Sequence, residues 1–182
     1  DAAGSIVSWK HELWSNGHTN RPGRSPKPAL IAARHLEKPF DFAPAIDPAL
    51  PPEGAGRNAI PLYEFPDLQV VKNYVRETPR RASSLRALGA YGNVFAIESF
   101  MDELAHAAGA DRLDFRLRHL KDPRAIAVLK ALEAQWKARR KGENQGHGIA
   151  FARYKNIGAY CAVLAEVEAG EVLRVKQLQL AA

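Results

Sequence analysis

The sequence predicts an α+β fold in which strands and a Pro-rich arm come first, a three-helix block follows, and an antiparallel hairpin comes last. Three observations support this prediction. Eleven of the twelve prolines lie between residues 21 and 80, apolar residues recur at helical spacing after residue 86, and residues 142 to 182 alternate as strands do. Because strands and helices occupy separate blocks, the pattern is typical of α+β proteins rather than of an alternating parallel sheet.

Four regions follow one another, and we expect them to form a single segment of one domain. They are a strand region at 1–20, a Pro-rich extended arm at 21–80, a turn with its helices at 81–141, and β-strands at 142–182. The prolines of the arm interrupt helices and sheet ladders alike. Its large apolar residues are too many for a solvated linker, so we expect them to be buried on a surface. These residues are Phe40, Phe42, Ile46, Leu50, Ile60, Leu62, Tyr63 and Phe65.

Short elements are predicted on both sides of the helical block. Residues 4 to 14 alternate well enough to form a strand, a short helix is predicted to begin at Pro28, and a strand is predicted from Leu68 to Thr78. After the helices, three strands are predicted, of which the last two form a hairpin around Gly170.

Each predicted helix of the block has a start or stop signal. Asn93 is a candidate N-cap for the first helix, and Gly109 is a candidate stop. Asp111 resembles the first residue of a capping box and is predicted to open the second helix. Asp122–Pro123 supplies an N-cap and a first-turn proline for a third helix, which is predicted to run to about Arg140.

The composition excludes several classes of protein. Hydrophobic residues make up 46% and charged residues 25% of the chain, as in globular proteins. A single cysteine, Cys161, excludes an internal disulfide framework and an iron–sulfur cluster held by this chain alone. No apolar run approaches the ~20 residues of a transmembrane helix, so no direct membrane insertion is expected. The net charge is +6, and residues 137–141 are largely basic. Because no aromatic residues are interleaved with these basic residues, as they are in single-strand binders, no nucleic-acid partner is expected.

One junction between a loop and a helix has the character of an anion site. The stretch "LRALGAYGNVFAIESFMDELA", residues 85 to 105, places glycines, alanines and Arg86 directly before the first helix. Free N–H groups and the helix dipole favour negative charge at such a junction, and Arg86 adds a cation with a planar donor fork. The spacing matches neither G-x-G-x-x-G nor a P-loop. The residues alone leave two interpretations open, a structural turn and an anion or cofactor loop.

Three other sets of residues have a plain structural interpretation beside a functional one. His11 and His18 flank "ELWSNG", but no third ligand stands at metal spacing, which favours surface or core histidines. Glu98 and Asp102 lie one helical turn apart, and a solvated or ion-paired helix face is favoured over acid–base work. Cys161 lies in an apolar strand and is interpreted as a buried small hydrophobe.

The residues from Ser84 to Leu120 combine several motifs. They are an Arg-x-x-Gly turn at Arg86 and Gly89, a glutamate twelve residues after the arginine at Glu98, Asp102-Glu103-Leu104-Ala105, and Arg116-Leu117-Arg118-His119-Leu120. This combination resembles the molybdenum-cofactor-binding (large or β) subunit of the xanthine dehydrogenase/aldehyde oxidase family. Within that family the branch of the bacterial isoquinoline 1-oxidoreductase β-subunits is most similar, and the resemblance covers nearly the whole chain.

The resemblance implies specific roles for the turn. Leu85, Arg86 and Ala87 would lie against the molybdenum cofactor, a molybdopterin that can carry a cytosine dinucleotide. Leu88 occupies a position that is often phenylalanine in xanthine dehydrogenases, where it stacks on the substrate. A substrate-binding role for Leu88 would therefore suit a different substrate. No residue of this chain is expected to be catalytic or to ligate a metal.

The resemblance also implies an activity and partners. Members of the family hydroxylate a carbon beside a ring nitrogen, as in isoquinoline or nicotinate, or oxidise an aldehyde, and they pass electrons to an iron–sulfur subunit. Since full-length subunits are several times longer, we expect this chain to be an internal fragment that contacts the remainder of its own polypeptide. Alone it would neither retain the cofactor nor turn over substrate. The expected compartment is the cytoplasm, or the periplasm if the parent carries an export signal. The alternative function is that of a non-catalytic subunit-docking or assembly module.

Overall fold

The computed structural model describes residues 1–18, 31–39, 54–77, 85–139 and 142–182. Helices and strands are both present. The strands are β1 (Ser8–Ser15), β2 (Asp67–Tyr74), β3 (Gln145–Arg153), β4 (Tyr160–Ala169) and β5 (Leu173–Ala181); the helices are α1 (Gly89–Ala107), α2 (Arg112–Arg118), α3 (Pro123–Lys130) and α4 (Glu133–Ala138). Short 3-10 turns lie at Ile31–His35, Gly54–Gly56 and Tyr154–Asn156. Within these described ranges, no helix is long and apolar enough to span a bilayer.

The chain forms two compact units. Unit 1 comprises Asp1–Trp9, Pro61–Leu68 and Val94–Ala182, and unit 2 comprises Lys10–Ile60 and Gln69–Asn93. Unit 1 contains the helices from Val94 onward and the sheet β3–β4–β5, whereas unit 2 contains most of β1 and β2 and the start of α1.

The three-stranded sheet of unit 1 is antiparallel throughout. Phe151 of β3 lies opposite Ala162 of β4, and Ala165 of β4 lies opposite Leu178 of β5. The predicted hairpin around Gly170 is confirmed, with a register shift between Glu166 and Val167. Alternate residues of β3 and β4 face a core that the helices cover; its largest fully buried apolar side chains are Trp136, Phe115, Met101, Leu113, Leu129 and Ile149.

Two of the predicted helix starts and one predicted stop are confirmed. The Asp111 carboxylate accepts hydrogen bonds from the backbone N–H groups that open α2, and Asp122 does the same for α3. Gly109 has a φ of 62° and donates to His106 O, while Ala110 donates to Ala105 O. This pair of bonds closes α1 as a Schellman motif, for which glycine is favoured.

The prediction of an uninterrupted third helix to Arg140 is wrong. α3 ends at Lys130, and α4 runs only from Glu133 to Ala138. At the break Leu132 N–H donates to Leu129 O at 3.1 Å, an i→i−3 bond in place of the i→i−4 pattern. The two helices are therefore separated by a tight turn, and Leu132 and Trp136 are both buried in the core.

The predicted strand at 4 to 14 begins later than expected. The Asp1 carboxylate accepts from the backbone N–H groups of Ala3 and Ser5, which holds the first residues in a turn, so β1 begins at Ser8. In unit 2, Glu12 contacts Asn73 and the Ser15 carbonyl accepts from Val75 N–H. Because the partner numbers rise together, β1 and β2 run in parallel.

The arm is described only in part. Pro28, Phe40, Phe42, Ile46 and Leu50 lie outside the described residues. Of the eight large apolar residues named for the arm, four are described, and they are buried or half-buried as expected; they are Ile60, Leu62, Tyr63 and Phe65. The predicted strand from Leu68 to Thr78 is observed as β2, which ends at Tyr74.

Candidate functional site

The turn at Leu85–Leu88 leads directly into α1. Leu88 N–H donates to Leu85 O at 3.0 Å, and Ala90 N–H donates to Ala87 O at 3.2 Å. Ala87 and Leu88 have φ values of 74° and 54°, in the left-handed region that non-glycine residues avoid. Each such residue costs about 1–2 kcal/mol, so this backbone persists only because its surroundings hold it.

The side chains of the turn differ in exposure. Leu85 is 77% exposed and Arg86 is also exposed, whereas Ala87 and Leu88 are half-buried. Within the described ranges no carboxylate pairs with the Arg86 guanidinium, and no acceptor binds the backbone N–H groups of Arg86, Ala87 or Gly89. The turn thus combines a cation with several free donors, as an anionic ligand requires.

A buried loop at residues 54–59, which we call the backing loop, contacts the start of α1. A Cβ atom on Gly89 would lie 2.0 Å from the carbonyl oxygen of Ala55, so only glycine fits. Asn93 donates through Nδ2 to Ala55 O and to Arg57 O, both at 2.9 Å. The prediction of Asn93 as an N-cap is therefore wrong: α1 begins four residues earlier at Gly89, and the Asn93 amide binds the backing loop instead.

A second polar cluster lies in the core of unit 1. Arg116 donates from Nε to Glu98 Oε2 at 2.9 Å and from Nη1 to Asp102 Oδ1 at 2.7 Å. The side chains of Arg116 and Glu98 are 1% and 8% exposed. Glu98 also accepts from the Tyr63 hydroxyl at 2.8 Å and from Phe151 N–H at 3.2 Å. Every oxygen of this buried carboxylate is thus hydrogen-bonded.

The environment of this cluster shifts the pKa values of its ionisable groups. Burial raises the pKa of Glu98, while the charge of Arg116 and its hydrogen bond act in the opposite direction. Burial also raises the pKa of the Tyr63 hydroxyl, and the neighbouring Glu98 charge raises it further. Burial alone would lower the pKa of Arg116, but the Glu98 carboxylate raises it instead, so Arg116 stays charged.

This geometry favours a structural role for the cluster. Glu98 and Asp102 share one arginine, which confirms the ion-paired interpretation, although Glu98 is buried rather than solvated. The sequence interpretation missed Tyr63 and Phe151 as partners of Glu98. The one signal in the sequence is Glu98 itself: a polar residue beside the apolar stripe of a helix needs hydrogen-bond partners if it is buried.

The remaining candidates provide no metal site. His11 Nδ1 lies 2.8 Å from Ala59 O, and His18 Nε2 lies 3.2 Å from Ser15 Oγ. No group of three potential metal ligands occurs among the residues that the structure describes. Cys161 is only half-buried, in contrast to the prediction of a buried residue, because alternation along β4 places it on the face opposite to the buried Ala162.

Basic residues near the end of α4 are engaged within unit 1. Lys137 pairs with Glu133, and Arg139 pairs with Asp111 at 3.1 Å while its guanidinium lies over the Trp136 ring. Residues 140 and 141 lie outside the described ranges. A polar cleft of about 530 Å³ lies beside Arg139, and its other arginine, Arg112, is paired with Asp102. Both arginines of the cleft are therefore already neutralised.

Comparison with known proteins identifies relatives for part of the chain. No family model matches the sequence. A subunit of nicotinate dehydrogenase from Pseudomonas putida is 42% identical over 113 residues, an alignment that covers 56% of this chain and 9% of that protein. The beta subunit of isoquinoline 1-oxidoreductase from Brevundimonas diminuta is 37% identical over 98 residues, covering 50% of this chain and 12% of that protein.

The match therefore corresponds to about a tenth of the length of these curated relatives. The expected resemblance to the isoquinoline 1-oxidoreductase β-subunit is confirmed within that range. Over about half of its residues, the chain is a homologue of subunits of two oxidoreductases, nicotinate dehydrogenase and isoquinoline 1-oxidoreductase.

Proposed function

We propose that this chain is a segment of the cofactor-binding subunit of a molybdenum-dependent oxidoreductase. Leu85, Arg86 and Ala87 would contact the molybdenum cofactor, and Leu88 would contact the substrate. The similarity to two oxidoreductase subunits supports the general activity. The single structural observation that supports the site is the strained turn, whose arginine and backbone donors have no acceptor among the described residues.

The turn fits an anionic, oxygen-rich group such as a pterin phosphate or dinucleotide. The free N–H groups of Arg86, Ala87 and Gly89 are donors without acceptors in the described part of the chain, and such groups require a partner when covered. The small side chain of Ala87 leaves the backbone open to close approach. When bound, the cofactor would supply the redox centre, and the turn would bind and orient it.

The proposal includes the finer properties that the resemblance implies. The substrate would be an aldehyde or an N-heterocycle such as nicotinate or isoquinoline, because the two relatives are named for these heterocycles. Electrons would pass to an iron–sulfur subunit, and the parent would reside in the cytoplasm, or in the periplasm if it carries an export signal. The α+β segment alone would be inactive, since the turn supplies only one side of a cofactor site.

Substitution of Arg86 in the full-length subunit that contains this sequence tests the proposal. We expect Arg86→Ala to reduce molybdenum content or turnover at least about tenfold, or about 1.4 kcal/mol. The matched control is Arg118→Ala, an exposed arginine of α2 whose replacement should leave both unchanged. Molybdenum is measured by elemental analysis of the purified subunit. An intact subunit without molybdenum, or an Arg86→Ala variant with unchanged content and rate, would contradict the proposal.

One observation favours the alternative function, a subunit-docking or assembly module. β5 lies at the edge of its sheet, and its apolar side chains are exposed; they are Leu173, Val175, Leu178 and Leu180. Such an edge is suited to pairing with another strand. The Arg86→Ala variant separates the two functions, because in a docking module Arg86 would not contact the cofactor and its replacement would leave the molybdenum content of the full-length subunit unchanged.

A further inference from the structure

We propose that Asn93 is a positioning residue for the turn at Leu85–Leu88, which it aligns by clamping the backing loop against the start of α1. The inference rests on the proposed function and adds a residue that touches neither cofactor nor substrate. All of the residues involved belong to unit 2.

Both N–H donors of the Asn93 amide are used by the backing loop. Asn93 is 6% exposed, and its two N–H donors each have an acceptor, Ala55 O and Arg57 O, at 2.9 Å. A primary amide has only two donors, so no capacity remains for any other acceptor. Aspartate would set a carboxylate against two carbonyl oxygens, and alanine would leave both carbonyls without this donor. The position therefore requires an amide for a specific geometric reason.

The contact that Asn93 secures lies next to the strained turn. Gly89 follows Leu88 directly, and its Cα approaches the Ala55 carbonyl so closely that no side chain is tolerated. Asn93 lies four residues after Gly89 and so projects from the same face of the helix. Both residues therefore contact the same carbonyl oxygen, Ala55 O: Gly89 through its backbone and Asn93 through a hydrogen bond.

The backing loop is itself held in place. Arg57 N–H donates to Gly54 O at 3.3 Å, and Ala59 N–H donates to Gly56 O at 3.0 Å. The Ala59 carbonyl also lies 2.8 Å from His11 Nδ1 of β1. The loop can therefore act as a fixed support, against which two consecutive left-handed residues are kept in place. Without the Asn93 clamp, Ala87 and Leu88 would be free to relax toward ordinary backbone conformations.

A purely structural role and a positioning role predict different results. Loss of a structural contact lowers the melting temperature of the cofactor-free and the cofactor-loaded protein equally. Loss of a positioning contact weakens cofactor binding, so it also reduces the rise in melting temperature that loading produces. The difference between the two melting temperatures is therefore the decisive readout, and it does not depend on turnover.

The experiment uses the full-length subunit, purified from cells grown with molybdate and from cells starved of it. We expect Asn93→Ala to lower the molybdenum content about fivefold or more and to reduce the thermal shift on loading by about half or more. The matched control is Asn73→Ala. Asn73 belongs to the same unit and donates one side-chain hydrogen bond, to Glu12 Oε1 at 3.1 Å, away from the turn. That control should keep wild-type molybdenum content and thermal shift.

A second variant covers the case in which Asn93→Ala does not fold. Asn93→Ser retains one donor and should give molybdenum content between that of wild type and zero, with a reduced thermal shift. Wild-type values for both measurements in Asn93→Ala, or in Asn93→Ser where the alanine variant does not fold, would overturn the positioning role while leaving the proposed function intact. A wild-type subunit that contains no molybdenum would overturn the proposed function, and this inference with it.

Discussion

Arg116 donates from Nε to the Glu98 carboxylate at 2.9 Å, and both side chains are buried in the core of unit 1. The same arginine binds Asp102 and the backbone carbonyl of Glu98, so one side chain of α2 fixes two turns of α1. Removing one partner of a buried ion pair lowers the free energy of unfolding strongly, because the other charge then stays buried without a counter-charge.

Replacement of Arg116 should therefore be among the most destabilising changes in unit 1. We expect Arg116→Met to reduce the free energy of unfolding by about 3–5 kcal/mol, since Glu98 would remain buried without its counter-charge. Urea denaturation followed by circular dichroism measures the change. Arg118→Met, at an exposed position of the same helix, is the control. It removes a 3.3 Å hydrogen bond to Gly4 O and a contact with the Phe115 ring, so it should change stability by no more than about 1 kcal/mol.

The double variant Glu98→Gln/Arg116→Met isolates the charge. The neutral amide can accept from Phe151 N–H through its oxygen and donate to the Tyr63 hydroxyl oxygen, and no unpaired carboxylate remains. The double variant should thus be more stable than Arg116→Met alone. Equal stability of the single and double variants would show that lost packing, and not the stranded Glu98 charge, causes the destabilisation.

Two glycines of α1, three residues apart, should respond oppositely to the same substitution. A Cβ atom on Gly92 would have no heavy atom within 4 Å, whereas one on Gly89 would collide with the Ala55 carbonyl. Gly92→Ala should stabilise the protein by about 0.5–1 kcal/mol because alanine favours the helix. Gly89→Ala should destabilise it by about 1–3 kcal/mol through overpacking. Chemical denaturation of both variants tests the pair, and a Gly89→Ala variant as stable as Gly92→Ala would refute the close contact.

The acid stability of the protein should depend in part on Asp111. Partial burial acts against its charge, but hydrogen bonds from Trp136 and from the backbone of α2 hold the pKa of Asp111 below its ordinary value of 3.8. Because the folded state binds this proton less tightly than the unfolded state does, the carboxylate stabilises the protein above about pH 4. That stabilisation is lost as the pH falls through the lowered pKa.

Asp111→Asn keeps a side-chain oxygen that can cap α2 but removes the ionisable carboxyl group. At pH 7 the variant should be less stable than wild type by about 1 kcal/mol, and the difference should shrink toward zero as the pH falls through the lowered pKa of Asp111. Urea midpoints from pH 7 to pH 2 give the comparison. Asp114→Asn, on the exposed side of α2, is the control for the loss of one negative charge. A constant offset between wild type and Asp111→Asn would remove Asp111 as a source of acid sensitivity.

The features that the sequence predicted correctly depend on local interactions. Asp111 and Asp122 bond to backbone two and three residues away, and Gly109 closes its helix within a single turn. Such contacts are encoded in short stretches of sequence. The hairpin around Gly170 is likewise formed by neighbouring residues.

The features that the sequence did not predict depend on distant partners. Asn93 has the residue type and position of an N-cap, yet its amide binds carbonyls more than thirty residues earlier. Tyr63 was expected only as an apolar residue of the arm, and its bond to Glu98 again joins distant parts of the chain. The motif around Arg86 was recognised, but its left-handed backbone depends on the backing loop and has no local signature, since neither Ala87 nor Leu88 is a glycine.

The partners of Glu98 have a consequence for the order in which unit 1 matures on the ribosome. Tyr63 and Arg116 have both been synthesised once α2 is complete, but the Phe151 N–H that fills the remaining position belongs to β3. In a nascent chain that ends before β3, the Glu98 carboxylate therefore lacks one of its hydrogen-bond donors, and α1 and α2 lack the sheet against which they pack. Domains form only when all of their long-range contacts are available. Unit 1 therefore cannot complete the hydrogen bonds of Glu98 until β3 has been synthesised.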